Sequence, residues 1–196
     1  MGGASHQWQG WKSDFPWEED ALRHIREQMP DAEPYRAWQT FTFTASTGHV
    51  REVDLFIATP GGLFLIEIKS HPGRATNNGA TWLFRDERTR TLENPLHFTD
   101  LKAKEIAGQL RQAARALNVR HRIPRIEAAV FLSAPNLRCD LDDFQRARIY
   151  GHDGLDPPRG ATGVPGAPGD LPRRHRPRRA VQRRARRRPG RRLPAR

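Results

Sequence analysis

Apolar residues near the start of the chain recur every three or four positions, from Ala21 to Met29. This spacing places them on one face of a helix, which predicts a helix over residues 17–29. Pro16 suits the start of that helix, and the acidic residues that follow it complement the helix dipole. Pro30 ends the helix because its ring cannot continue the hydrogen-bond pattern.

A different pattern begins at Tyr35, where aromatic residues and threonines alternate up to Ala45 and predict a strand. Two apolar runs follow, over residues 50–58 and 63–70. The short segment between them contains proline and two glycines, as a tight turn requires. We therefore predict that the two runs pair as a β-hairpin.

Further elements are predicted after the hairpin. They are a loop over 72–80, a strand over 81–84, a polar turn over 85–90, a helix over 98–117, a strand over 125–133 and a helical turn over 140–144. The apolar side of the long helix is assigned to Leu101, Ile106, Leu110, Ala113, Ala114 and Leu117. Residues 1–14 are polar and are expected to form a loose lead-in, ahead of one domain over 15–150.

The net charge of +12 first suggests a nucleic-acid-binding protein, but its distribution changes that interpretation. Residues 159–196 contain 14 arginines and a single acid, whereas residues 1–158 contain 20 basic and 21 acidic residues. The folded part is therefore close to neutral. It lacks the basic stripe expected of a strong duplex binder.

The C-terminal segment, residues 151–196, is predicted to be disordered. From Gly160 onward, 29 of 37 residues are Ala, Gly, Pro or Arg, a composition that cannot bury enough apolar surface to fold. These four amino acids have the most GC-rich codons, so we interpret the segment as an out-of-frame translation. The alternative is a genuine basic tail that binds nucleic acid or acidic partners.

The single cysteine, Cys139, excludes an internal disulfide framework and is expected to be a small buried residue. No apolar stretch has the length of a signal peptide or of a membrane span. We therefore expect a cytoplasmic protein with no membrane association.

Beyond Arg51 and Glu52 near the start of the first run, three charged residues interrupt the apolar runs of the hairpin: Asp54 in the first, and Glu67 and Lys69 in the second. A hairpin closed symmetrically about its turn places Asp54 opposite Glu67, with Lys69 on the same face. Two facing carboxylates repel each other unless a cation lies between them, and hard ions such as Mg²⁺ or Mn²⁺ prefer carboxylate oxygens. Asp54 and Glu67 are therefore candidate metal ligands. The alternative is a half-exposed strand whose Glu67–Lys69 pair is merely solvated.

The sequence from Glu52 to Gly73, followed by Asn94-Pro95 ahead of a helix, resembles the NERD (nuclease-related) domain family. That family is similar to the PD-(D/E)xK nucleases. The resemblance implies an α/β, restriction-endonuclease-like fold, with a mixed central sheet flanked by helices. It further implies that Asp54, Glu67 and Lys69 are catalytic, with a glutamate from the first helix, Glu18 or its neighbour Glu19.

A narrower resemblance is to the N-terminal region of the PglW-type serine/threonine kinases of phage-growth-limitation and BREX defence. It is carried by Phe15-Pro16, by the segments 33–38 and 72–74, and by Lys102-Ala103-Lys104. The motifs of a kinase domain do not follow, which agrees with a frameshift near residue 160. Lys102 and Lys104 are candidate phosphate contacts, or they form an ordinary solvated helix face.

These observations together predict a Mg²⁺-dependent nuclease-like domain that acts on DNA in phage defence or DNA processing, with defence-system proteins as further partners. The second hypothesis is a non-cleaving module that binds DNA or a partner and positions an attached kinase. A third, a free-standing basic nucleic-acid-binding protein, rests only on the C-terminal segment. The sequence gives no basis for predicting an oligomeric state.

Overall fold

The structure, a computed structural model, describes residues 7–151 and the backbone of residues 161–162. Its elements in chain order are β1 (Trp8–Gly10), α1 (Pro16–Gln28), β2 (Arg36–Thr44), β3 (Val50–Thr59), β4 (Gly62–Lys69), β5 (Arg74–Asn78), β6 (Thr81–Arg85), β7 (Thr89–Glu93), α2 (Pro95–Ala116), β8 (Ile126–Leu132), β9 (Arg138–Asp140), α3 (Asp143–Arg146), β10 (Ile149–Gly151) and β11 (Ala161–Thr162).

A seven-stranded mixed sheet forms the centre of the domain, with the strand order β1-β2-β3-β4-β8-β10-β11. Strands β2, β3 and β4 pair antiparallel, whereas β4 and β8 pair parallel. Parallel neighbours need a long crossover connection, and α2 lies within it. The register of the β3–β4 hairpin is as predicted, because Ala58 pairs with Leu63 and Phe56 with Leu65.

The two long helices cover opposite faces of this sheet. Leu22 and Ile25 of α1 pack with Phe64 and Ile66, residues that point to one side of β4. Leu65, whose side chain lies on the other face, packs with the apolar side of α2. Alternate residues of a strand face opposite sides, so β4 is buried on both. The predicted α/β fold with a mixed central sheet between helices is confirmed.

A second sheet of four strands, in the order β7-β6-β5-β9, was not predicted. The predicted loop over 72–80 contains strand β5, and the polar turn over 85–90 leads directly into strand β7. Strand β5 is polar in sequence, and it pairs parallel with β9, more than 60 residues further along the chain. Pairing between strands so far apart in sequence leaves no sign in the local pattern of apolar and polar residues. Trp82 and Phe84 of β6 are fully buried.

The long helix begins three residues earlier than predicted, at Pro95, because Asn94 caps it. Its apolar side was also predicted partly wrongly. Leu101, Ala113 and Leu117 are exposed, while the buried residues of α2 are Pro95, Leu96, Thr99, Ala103, Ile106 and Ala107. Steps of three or four positions between the adjacent pairs place these six on one helix face, and Leu101 lies off that face.

The two ends of the domain differ from the predicted boundaries. Residues 8–10, expected in a loose lead-in, form β1 and pair parallel with β2. At the other end, Gly151 belongs to β10, and β11 pairs with β10. The rest of the segment predicted to be disordered lies outside the described residues. Cys139 is buried as predicted. Within residues 7–151 no helix is both long enough and apolar enough to cross a membrane.

The cap of α2 gives a testable prediction about stability. The Asn94 side chain accepts a hydrogen bond from the Leu96 N–H at 3.0 Å and donates one to Gln145. Replacing Asn94 with alanine removes both, so we expect the free energy of unfolding to fall by about 1 kcal/mol. Urea denaturation measures this change, with Gln112→Ala on the exposed surface of α2 as the control. Equal midpoints for the two variants would contradict the assigned cap.

Candidate functional site

The ladder between β3 and β4 ends just before Asp54. Its last pair is Leu55 with Ile66, so Asp54 and Glu67 come one step later, where the strands separate. The Asp54 side chain is only 8% exposed, and its Oδ2 accepts a hydrogen bond from the Ile68 N–H at 2.7 Å. The carboxylate thus satisfies a backbone donor that the ladder leaves unpaired.

The neighbouring strand β2 is distorted at the position that the register places opposite Asp54. Pairs form on both sides of this position, Gln39 with Leu55 and Phe41 with Val53, but not at Thr40 itself. Thr40 has a positive φ of 45°, which is rare for a β-branched residue. Its Oγ1 is buried and has no hydrogen-bond partner in the described part of the chain. Local irregularity of this kind concentrates at functional sites.

Glu67 is held between two lysines. Its Oε1 accepts from Lys69 Nζ and its Oε2 from Lys102 Nζ, each at 2.8 Å. All three side chains are largely buried, so the alternative of a solvated strand face is wrong. Lys69 extends from the same strand, whereas Lys102 reaches in from α2. The structure therefore brings Asp54, Glu67, Lys69 and Lys102 together.

The charges of this cluster shift the acidities of its members in opposite directions. Burial and then the charge of Glu67 raise the pKa of Asp54 to about 7. Burial alone would also raise the pKa of Glu67, but Lys69 and Lys102 outweigh it, so that pKa is lowered. Burial favours neutral Lys69, yet Glu67 prevails and raises the lysine pKa. At neutral pH Glu67 is therefore ionised and Lys69 is protonated, with Asp54 close to its titration point.

The first helix contributes Glu18 to a cleft that is also lined by the four residues of this cluster. Burial raises the pKa of Glu18, against a hydrogen bond from Ser13, and its Oε1 is buried without a hydrogen-bond partner among the described residues. Glu19, the alternative left open by the sequence, accepts from the Ser13 N–H ahead of the helix and does not line the cleft. The structure thus places Glu18, and not Glu19, beside the other predicted site residues.

Lys104 does not join the site. It is exposed, and it is absent from the walls of the cleft, because two residues along a helix turn its side chain well away from that of Lys102. Its predicted phosphate contact stays a prediction.

The site residues form part of a cleft of about 730 Å³. Several of its lining residues were not predicted to belong to the site. They are Phe15, Trp17, Glu52, His71, Asp86, Glu87, Arg88 and Arg90. Asp86, Glu87 and Arg88 come from the β6–β7 connection and Arg90 from β7 itself, a stretch that in sequence is an ordinary polar turn. His71 packs against Phe84 with ring centroids 5.0 Å apart, and burial lowers its pKa.

The carboxylate oxygens of the cleft fit a divalent ion that keeps several of its waters. In the described part of the chain no three His, Cys, Asp or Glu side chains are grouped closely enough to hold a metal. Asp54 and Glu67 nevertheless offer hard carboxylate oxygens, and Glu18 Oε1 is a buried oxygen without a partner. Mg²⁺ commonly binds through one or two carboxylates and keeps several waters. The residues therefore fit a water-rich Mg²⁺ site, and they do not fit a fully enclosed one.

The fold and the site define a class: an α/β domain with a carboxylate–lysine cleft at the end of its central hairpin. A family model described as the nuclease-related domain, NERD, matches residues 13–133. This match spans more than half of the chain, and the chain belongs to the NERD family. The membership predicted from the sequence is thereby confirmed.

A curated relative supports the narrower resemblance. The chain is 50% identical over 144 residues to the N-terminal region of "Probable kinase PglW" from Streptomyces coelicolor. The alignment covers 72% of this chain and 8% of the relative, so the chain corresponds to a small part of that protein. No solved structure matches this chain.

Proposed function

We propose that this NERD domain is a Mg²⁺-dependent (or Mn²⁺-dependent) nuclease-like domain that acts on DNA. One observation carries the proposal: a buried carboxylate, Asp54, lies where the hairpin ladder ends, beside the Glu67–Lys69 pair on the floor of an open cleft. Burying charged groups is costly, so such clusters concentrate at functional sites. Membership of a family described as nuclease-related supports the same reading.

Each residue has a role that follows from its surroundings. Asp54 and Glu67 would hold the ion, with Glu18 completing the acidic side of the cleft. The ion would supply positive charge against the negative charge that develops on the phosphate. Lys69, fixed by Glu67 Oε1 at 2.8 Å, would orient the attacking water or donate to a phosphate oxygen. Lys102 would bind a neighbouring phosphate.

A second candidate is a non-cleaving module that binds DNA or a protein partner. The observation in its favour is that both oxygens of Glu67 already accept hydrogen bonds from lysines, so an ion would have to displace at least one of them. The resemblance to a probable kinase suggests that such a module would position an attached catalytic domain. For either candidate we propose a setting in phage defence or DNA processing, which the resemblance found in the sequence implies.

Isothermal titration calorimetry with MgCl₂ and MnCl₂ separates the two candidates. The nuclease proposal predicts binding by the wild-type chain, and weaker binding by Asp54→Asn, which removes a charged ligand but keeps an acceptor for the Ile68 N–H. The non-cleaving module predicts no difference between the two chains. Absence of ion binding at millimolar concentrations would favour the module.

Lys102 and Lys104 provide a matched pair for the phosphate contact. Lys102→Ala removes an ammonium from the cleft, so we expect Mg²⁺-dependent cleavage to slow about tenfold, the typical loss for a hydrogen bond to a charged group. Lys104→Ala, two residues further along α2 and outside the cleft, should leave the rate near the wild-type value. A gel-based cleavage assay measures both rates, and equal losses would refute the assigned difference.

A further inference from the structure

Two partly exposed aromatic rings stand in the same cleft as the carboxylates. Phe15 is 50% and Trp17 is 52% exposed, and both line the cleft with Asp54 and Glu67. Their ring centroids are 5.0 Å apart with an interplanar angle of 26°, so the rings are stacked. A stacked pair with half of its surface in water offers a flat apolar platform beside the proposed reactive groups.

Another wall of the cleft carries positive charge. Arg88, in the connection before β7, and Arg90, within β7, both line it, and both are exposed. Neither forms an ion pair with any residue that the structure describes. Burial, and then the charge of Arg90, lower the pKa of His71, so Arg90 lies near that histidine. The guanidinium groups of these arginines are thus available to an anion in the cleft.

Acidic side chains restrict where an anion can lie. The carboxylates in the walls are Glu18, Glu52, Asp54, Glu67, Asp86 and Glu87. The cations in the walls are Lys69, Lys102, Arg88 and Arg90, and a phosphate chain would bind to them. Lys69 and Lys102 both donate to Glu67, so a phosphate bound to either lysine would lie beside that carboxylate.

We infer that the cleft takes nucleic acid with unpaired bases. Phe15 and Trp17 stack on a base beside the phosphate to be cleaved, and Arg88 and Arg90 bind the backbone around it. In a duplex both faces of a base are covered by its neighbours, so side chains stack only on a base that has left the stack. Guanidinium groups suit phosphate oxygens because their donors are arranged as a planar fork. The inference rests on the proposed function for the position of the phosphate.

Fluorescence anisotropy tests the proposed stacking on Phe15 and Trp17. It measures the binding of a fluorescein-labelled single-stranded DNA oligonucleotide to the full-length chain. Wild-type protein should bind this strand more tightly than a blunt duplex of the same sequence, in EDTA and in Ca²⁺. Trp17→Ala should weaken single-strand binding about tenfold, the usual effect of losing one stacking platform. Trp11→Ala is the matched control, because Trp11 is 75% exposed and does not line the cleft.

A second readout reports stacking itself. An oligonucleotide that carries 2-aminopurine should lose fluorescence on binding to wild-type protein and to Trp11→Ala, and much less on binding to Trp17→Ala. Thermal unfolding of the three proteins should agree closely, because neither tryptophan is in the core. All of them carry the same arginine-rich segment, residues 159–196, so its contribution to binding is the same in every comparison.

The arginine half is tested by salt dependence. Each phosphate contact to a single strand contributes roughly 0.7 to the slope of log K against log salt. The double variant Arg88→Gln/Arg90→Gln should therefore reduce the magnitude of the slope by about 1.4. Arg85→Gln, in the same hairpin but outside the cleft, should leave the slope unchanged.

The outcomes distinguish this inference from the proposed function. Equal affinity for single strand and duplex, equal losses from Trp17→Ala and Trp11→Ala, or no single-strand binding would each overturn the inference. Mg²⁺-dependent cleavage of duplex without single-strand preference would retain the nuclease proposal alone. Cleft-dependent single-strand binding without cleavage would retain the inference about the ligand and reject catalysis.

Discussion

Asp54→Asn is expected to make the domain more stable than the wild type at pH 8, measured in EDTA. Burial and Glu67 raise the pKa of Asp54 to about 7, so ionising this group inside the fold is unfavourable. Asparagine stays neutral at every pH, and its amide oxygen accepts from the Ile68 N–H as the carboxylate does. The variant therefore avoids an electrostatic cost that the native site carries.

The sign follows from proton binding. The folded wild type holds the Asp54 proton more tightly than the unfolded chain, whose aspartates titrate near the ordinary pKa of 3.8. The stabilising contribution of Asp54 is complete below that value and is lost as the pH rises towards 7. The stability gap in favour of Asp54→Asn should widen by on the order of 2 kcal/mol between pH 5 and pH 8.

Urea denaturation at a series of pH values measures this gap. Asp140→Asn is a suitable control, because Asp140 is paired with Arg74 and its hydrogen bond to that arginine lowers its pKa. Asp140 therefore cannot produce a loss of stability as the pH rises. If the difference in unfolding free energy between Asp54→Asn and the wild type does not change with pH, the raised pKa of Asp54 is contradicted.

The centre of the site was predictable because its geometry is local. A tight turn between two apolar runs fixes the hairpin register, and the register brings Asp54, Glu67 and Lys69 to one end of the same ladder. The same alternation turns Phe64 and Ile66 to the opposite side of β4, where they pack with α1. These conclusions needed only strand alternation and the position of the turn.

The rest of the cleft depends on contacts between distant parts of the chain. Arg88 and Arg90 reach it because β6 and β7 belong to a second sheet, which is closed by the pairing of β5 with β9. Strand β5 has no apolar alternation, so its sequence resembles a loop. Lys102 and Lys104 were equivalent in sequence, and only the orientation of α2 places the first against Glu67.

The irregularity at Thr40 was equally invisible in sequence. Threonine favours strands, and nothing local indicates the positive φ of 45°. The distortion lies at the position in β2 that the register places opposite Asp54. The distorted strand is β2, which pairs with β3 on the side away from β4. The alternation of apolar and polar residues in β2 does not indicate this distortion.

The largest effect on function is expected from removing the Asp54 carboxylate altogether. Asp54→Ala deletes a proposed ligand of the ion and leaves the Ile68 N–H without its acceptor. We expect cleavage that depends on Mg²⁺ to fall by at least about a hundredfold, the scale of losing a group that stabilises transition-state charge. Asp54→Asn, which keeps the hydrogen bond and the fold, should lose cleavage to a similar extent while gaining stability.

The most direct test is Mg²⁺-dependent cleavage of labelled single-stranded and duplex DNA by the wild-type chain beside Asp54→Ala and Asp54→Asn, each with an EDTA control. We expect cleavage by the wild type only, abolished by EDTA and lost in both variants. Cleavage retained by folded Asp54→Asn, or no cleavage by a wild-type chain that binds Mg²⁺ and DNA, would contradict the nuclease proposal.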